Sequence, residues 1–231
     1  MASETHEKLA NEAELAVAHS GPRVRDLLRI FLELDARIGR IVAGTNEPML
    51  GQMRLAWWRD VLTMQIDKRP QGDAVLDAIG AHWGGRSGEL TPLIDAWEHL
   101  LGEAPLDEGD AIALLNGRRD GLLAVYGERV LPAEGCNSGA AHPDPAYARA
   151  AWHWACADLA ANVSDPGERA MLVQLGLDHA PDGKIRTFSR SDRGLAVLGA
   201  LGLRALQRGG RPLMEGRGAA LAALRAAIFG R

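Results

Sequence analysis

Prolines stand at the head of one apolar-periodic segment after another, and this constrains the chain more than any other feature. Proline has no amide hydrogen and a fixed φ, so a helix accepts it in the first turn and not in the body. Pro22, Pro48, Pro92, Pro145 and Pro166 each sit where such a segment begins. After Pro22, the residues Val24, Leu27, Leu28, Phe31, Leu34, Ile38, Ile41 and Val42 recur at helical spacing. β-branched residues are sparse, while alanine and leucine dominate, as helix propensity favours. The expectation is an all-α fold: a single domain over residues 1–231, built as a bundle of roughly eight to ten helices with almost no strand.

Helices are predicted over residues 22–44, 48–66, 73–83, 90–101, 107–130, 145–163, 165–176, 191–207 and 218–229, with Asn46 as the N-cap of the second. Residues 69–72 and 208–216 read as turns. Pro132, Gly135, Asn137, Ser138, Gly139, Pro143 and Pro145 crowd residues 131–145 into a loop, and 179–190 is polar and irregular.

The net charge of −4 gives no overall basic field, which argues against a nucleic-acid partner. The longest apolar runs, such as residues 194–203, are far too short for a transmembrane segment. Residues 1–18 carry Glu4, Glu7, Glu12 and Glu14 and lack the order of a signal peptide. Cys136 and Cys156 make no CxxC and no metal spacing, so a reducing cytoplasm is the expected compartment. There is no HExxH and no GxGxxG. Gly194, Gly199 and Gly202 read instead as sites of close helix packing.

The segment 47–60 draws the eye next. Met49, Met53, Trp57, Val61 and Met64 form one apolar stripe, and Leu55, Trp58, Leu62 and Ile66 an adjacent one. Together they predict a central helix. Arg54 and Arg59 leave from its flanks, either snorkelling from a core helix or facing an anionic ligand across a cavity. Asp35 falls inside the apolar stripe of the preceding helix, with Phe31, Ile38 and Val42. A buried carboxylate needs a partner, which Arg54 or Arg59 could supply as a structural inter-helix pair, the alternative being a ligand site.

Further along, Trp152, His153, Trp154 and Cys156 cluster as core or pocket-lining residues. His153 and Cys156 have i, i+3 spacing but no convincing further metal ligand. His82, Trp83, Trp97 and His99 are expected where helices meet. Residues 116–120, Asn-Gly-Arg-Arg-Asp, read as a charged interruption of a helix, a solvated kink or the basic rim of a cavity. Arg186, Arg190, Arg193, Arg204, Arg208, Arg211, Arg217 and Arg225 make a solvated face, or a surface for an acidic partner or anionic lipid.

Glu47-Pro48-Met49-Leu50, followed by Arg54-Leu55-Ala56-Trp57-Trp58-Arg59-Asp60, resembles the squalene/phytoene synthase family of the all-helical isoprenoid synthases. The helix Phe31-Leu32-Glu33-Leu34-Asp35-Ala36-Arg37-Ile38 precedes that segment as in the family. The likeness extends more weakly through Leu93-Ile94-Asp95-Ala96-Trp97, the 107–127 helix and Leu206-Gln207-Arg208-Gly209-Gly210. It is nearest to a compact bacterial branch, which is also similar to the family's mitochondrial complex I assembly factor.

The resemblance implies an isoprenoid-synthase-like bundle. The family's enzymes condense two prenyl diphosphates, with magnesium held by carboxylates four residues apart on facing helices. This chain departs at both places. Asp35 is followed four residues on by Gly39, and Asp158 by Asn162. Asp35 and Asp158 are thus the candidate catalytic residues, one per motif. Arg54, Trp57, Trp58, Arg59, Trp154 and Asn162 are the candidate pocket residues. With no complete metal ligand set, no cofactor is expected; magnesium would be the cofactor of an active enzyme. The reading is a cytoplasmic protein that has lost condensation and binds an isoprenoid or lipid, or a protein partner in respiratory complex assembly, with peripheral contact at the inner membrane as an option. The alternatives are an active magnesium-dependent prenyl transferase and a purely structural helical interaction module.

Overall fold

The computed structural model describes residues 8–102, 104–127, 144–181 and 187–230. Among them are ten α-helices and no strand. They are α1 (Asn11–Ala18), α2 (Pro22–Ala43), α3 (Pro48–Thr63), α4 (Ala74–His82), α5 (Thr91–Glu98), α6 (Glu108–Ala124), α7 (Pro145–Asn162), α8 (Pro166–Asp178), α9 (Arg193–Leu206) and α10 (Arg217–Phe229). Short 3₁₀ turns at Ile66–Lys68, Gly84–Leu90 and His99–Leu101 join some of them.

The prolines act as the sequence predicts, standing in the first turns of α2, α3, α5, α7 and α8. Aspartates supply several N-caps. Asp73 accepts from the amides of Val75 and Leu76, Asp144 from Ala146 and Asp165 from Glu168. Glu47, not Asn46, is the residue before α3, and no side chain caps it. The helix α1 was not anticipated; its short apolar face, Ala13, Ala16 and Val17, is too brief to signal a helix by periodicity. The helix expected over 107–130 ends at Ala124. The loop expected over 131–145 falls mostly outside the described residues, which resume at Asp144.

The centre of the bundle is α7, not α3. From Ala150 to Ala157 every residue of α7 is buried, and α6, α8 and α9 pack around it. Two glycines let α9 approach closely. A Cβ at Gly202 would stand 2.6 Å from the backbone of His153, and one at Gly199 2.6 Å from the Ala150 side chain. The interruption expected at 116–120 does not occur, because α6 runs unbroken through it. Gly117 instead admits the backbone of α5, with the Pro92 carbonyl 2.7 Å from where its Cβ would be.

Helix α3 has neighbours on one side only, chiefly α5 and the Gly84–Leu90 turn. It therefore buries one stripe, Gly51, Leu55, Trp58, Val61 and Leu62. Met49, Leu50, Met53, Trp57 and Met64 face outward. The expected central position of this helix is thus corrected. No described helix is long and apolar enough to cross a membrane.

Candidate functional site

The candidate site lies where α2, α5, α6 and α7 converge. Asp35 sits on the inner face of α2, one turn beyond Phe31, and is almost wholly buried. Arg118 lies on α6 in register with Ala111, Leu114, Leu115 and Leu122, and is 1% exposed. Its Nε donates to Asp35 Oδ1 at 3.0 Å and its Nη2 to Asp35 Oδ2 at 2.6 Å. This is the planar two-pronged fit of guanidinium to carboxylate. The same Nη2 donates to Asp158 Oδ2 on α7 at 2.6 Å, and Nη1 donates to the Ala155 carbonyl at 3.2 Å.

Aromatic rings complete the setting. The Arg118 Cζ stands 5.1 Å from the Trp97 ring centre and 4.7 Å from that of Trp154. Both distances are within cation–π range. The Trp97 indole N–H also donates to Asp35 Oδ1, at 2.9 Å. Burial opposes the Arg118 charge, but Asp35 and Asp158 outweigh it and raise the guanidinium pKa. Arg118 is therefore a permanent cation set between the two candidate carboxylates.

Glu12 on α1 also reaches this region. Burial raises its pKa, and the nearby Asp158 carboxylate adds to the shift. His153 lies on the same helix as Asp158; burial and then Arg149 depress its pKa to about 4, so it is neutral. Burial pushes the Cys156 thiol up, so it is an inert packing group.

The expected partners of Asp35 are elsewhere. Arg59 pairs with Asp95 and Glu98 of α5. Arg54 is exposed and reaches Thr45 Oγ1 at 3.4 Å. Trp58 is buried, whereas Trp57 is 43% exposed, its ring edge-to-face with Trp58 at 5.2 Å. Asn162 is exposed and bonds back to the Asp158 carbonyl. Of the six candidate pocket residues, only Trp154 lines the Asp35–Asp158 site. Trp83 and Trp97 are buried at helix junctions as expected, but His82 and His99 are exposed.

Sequence reasoning missed Arg118 as a site residue. It also missed a groove of about 700 Å³ bounded by Leu62, Met64, Ile66, Arg69, Ser87 and Gly88. Buried Arg69 anchors that groove by donating to the Leu62 and Met64 carbonyls at the end of α3 and to Ser87 Oγ.

The residues present do not fit a magnesium–diphosphate centre. Both oxygens of Asp35 are taken by Arg118 and Trp97, and Asp158 shares the same guanidinium. Among the described residues, no group of three or more His, Cys, Asp or Glu is arranged to hold a metal ion. In comparisons with known proteins, no family model, no curated protein and no solved structure matches this chain. The likeness to squalene/phytoene synthases thus rests on the sequence segments quoted above.

Proposed function

We propose that this chain is a squalene/phytoene synthase-like protein that has lost head-to-head prenyl condensation and acts by binding, to an isoprenoid or other lipid or to a protein partner, in the manner of a respiratory complex assembly factor. One observation carries the loss of catalysis: the Arg118 guanidinium occupies the position between Asp35 and Asp158. Two carboxylates facing a shared space would attract a divalent cation; here a side chain of the protein neutralises them. The outward-facing apolar residues of α3 and α10 support a binding role, since such residues in contiguous stretches mark interaction surfaces.

The test is incubation with farnesyl or geranylgeranyl diphosphate and magnesium, with diphosphate release as the readout. No release is expected. Metal-dependent turnover that Asp35→Asn or Asp158→Asn abolishes would overturn the loss of catalysis. Magnesium at millimolar concentration should likewise leave the melting temperature of the native chain unchanged. It should raise that of Arg118→Met, in which the two carboxylates lack their cation.

A further inference from the structure

Helix α10 is built inside out. It turns Ala219, Ala223, Ala226 and Ala227 toward the bundle and leaves Leu221, Leu224, Ile228 and Phe229 exposed by 60%, 52%, 49% and 55%. Leu221, Leu224 and Ile228 follow i, i+3, i+7 spacing, which aligns them along one line of the helix opposite the alanines. A surface helix in water normally has the reverse arrangement, with large apolar residues inward.

The charge of the region is predominantly positive. Residues 187–230 contain seven arginines against two acids, a net of +5 in a chain whose total is −4. Of the two acids, Asp192 is buried and accepts from Tyr147 and Ser189, and Glu215 pairs with Arg211. Between Arg217 and Phe229 there is no acidic residue at all. Arg217 and Arg225 are exposed and make no ion pair among the described residues.

We propose that α10 is an interfacial helix that seats the protein on an anionic lipid surface, its leucines, isoleucine and phenylalanine in the acyl boundary and its arginines among the headgroups. A second copy of the chain is the poorer occupant. A two-fold pairing of α10 with itself sets cationic helix against cationic helix and supplies no counter-charge. An anionic bilayer supplies both the apolar phase and the negative charge. This inference rests on the binding half of the proposed function, which draws on the same α10 residues, and is independent of the loss of catalysis, because α10 contributes no residue to the Asp35–Arg118–Asp158 cluster.

The test is flotation of the full chain with vesicles of phosphatidylcholine alone, and of phosphatidylcholine with about one-third phosphatidylglycerol. The native protein should float with the anionic vesicles, less so as salt rises, and bind the neutral ones at least about tenfold more weakly. Leu224→Glu with Ile228→Glu should abolish flotation while lowering the melting temperature by no more than about a few degrees, since half of each side chain already meets solvent. Arg217→Gln with Arg225→Gln removes two surface cations, each worth about fivefold, so anionic binding should weaken by about 25-fold. The proposal is overturned if the native chain stays with the soluble fraction or if the glutamate pair floats undiminished. It is also overturned if light scattering shows a dimer that the glutamate pair dissolves, with no vesicle binding in either protein. Diphosphate release has no bearing on these outcomes.

Discussion

Replacing Arg118 with methionine tests the centre of the bundle. Methionine keeps most of the volume and removes the charge, leaving Asp35 and Asp158 without their shared cation. Removing one partner of a buried ion pair costs about 3–5 kcal/mol, because the remaining charge stays out of water. A typical domain has only about 5–15 kcal/mol in total, so the variant should unfold at markedly lower urea. Asp35→Asn is milder, since the amide oxygen still accepts from Trp97 and Arg118 keeps Asp158; a loss of about 1–3 kcal/mol is expected. The two changes together should cost less than their sum by at least about 1.5 kcal/mol, since each removes the other's reason for being costly. Arg118→Lys should restore only part of the loss, because an ammonium cannot fork to Asp35 while reaching Asp158. The assay is urea unfolding followed by far-ultraviolet circular dichroism, with the denaturant slope checked for constancy across the set. A loss under about 1 kcal/mol for Arg118→Met, additive with Asp35→Asn, would refute the view that this guanidinium neutralises both carboxylates.

Three further outcomes follow from the packing and the titrating groups. His153 is neutral in the fold with a pKa of about 4, against 6.5 as the ordinary value; the unfolded chain therefore binds a proton that the fold does not, and stability should fall by about 3 kcal/mol as pH drops from about 6.5 to 4, a fall that His153→Gln removes in urea titrations across that window. Gly202→Ala forces a Cβ against the His153 backbone 2.6 Å away, and should lower stability by about 1–3 kcal/mol, read as a melting-temperature shift of several degrees. Trp58→Ala should cost about 3–5 kcal/mol and Trp57→Ala about 1 kcal/mol, so equal losses in chemical denaturation would contradict the outward placement of Trp57.

The helices were legible because their signals are local. First-turn prolines and apolar spacing each act within a turn or two, and they locate α2, α3, α4, α5, α7, α8, α9 and α10 to within a few residues. What the sequence left open was which of several apolar stripes meets a neighbour. Residues 48–66 carry two stripes, and only the assembled bundle decides that Leu55 and Trp58 go inward while Met53 and Trp57 do not. The Asp35 partner was misassigned for a related reason: nearness along the chain favoured Arg54 and Arg59, whereas the partner lies 83 residues on. A usable signal was present. Arg118 interrupts the stripe of Ala111, Leu114, Leu115 and Leu122 as Asp35 interrupts that of Phe31, Ile38 and Val42. Two opposite charges, each inside an apolar stripe, satisfy one another more cheaply than either meets a surface residue.

A seam closed by a dissociable ion shares its fate with the surrounding solution: chelators open it, supply fills it, and affinity sets the occupancy. The seam between α2 and α7 is closed by a group covalently tied to α6, which has no off-rate and stays charged across the physiological range. At this seam the fold does not depend on the concentration of a dissolved cation.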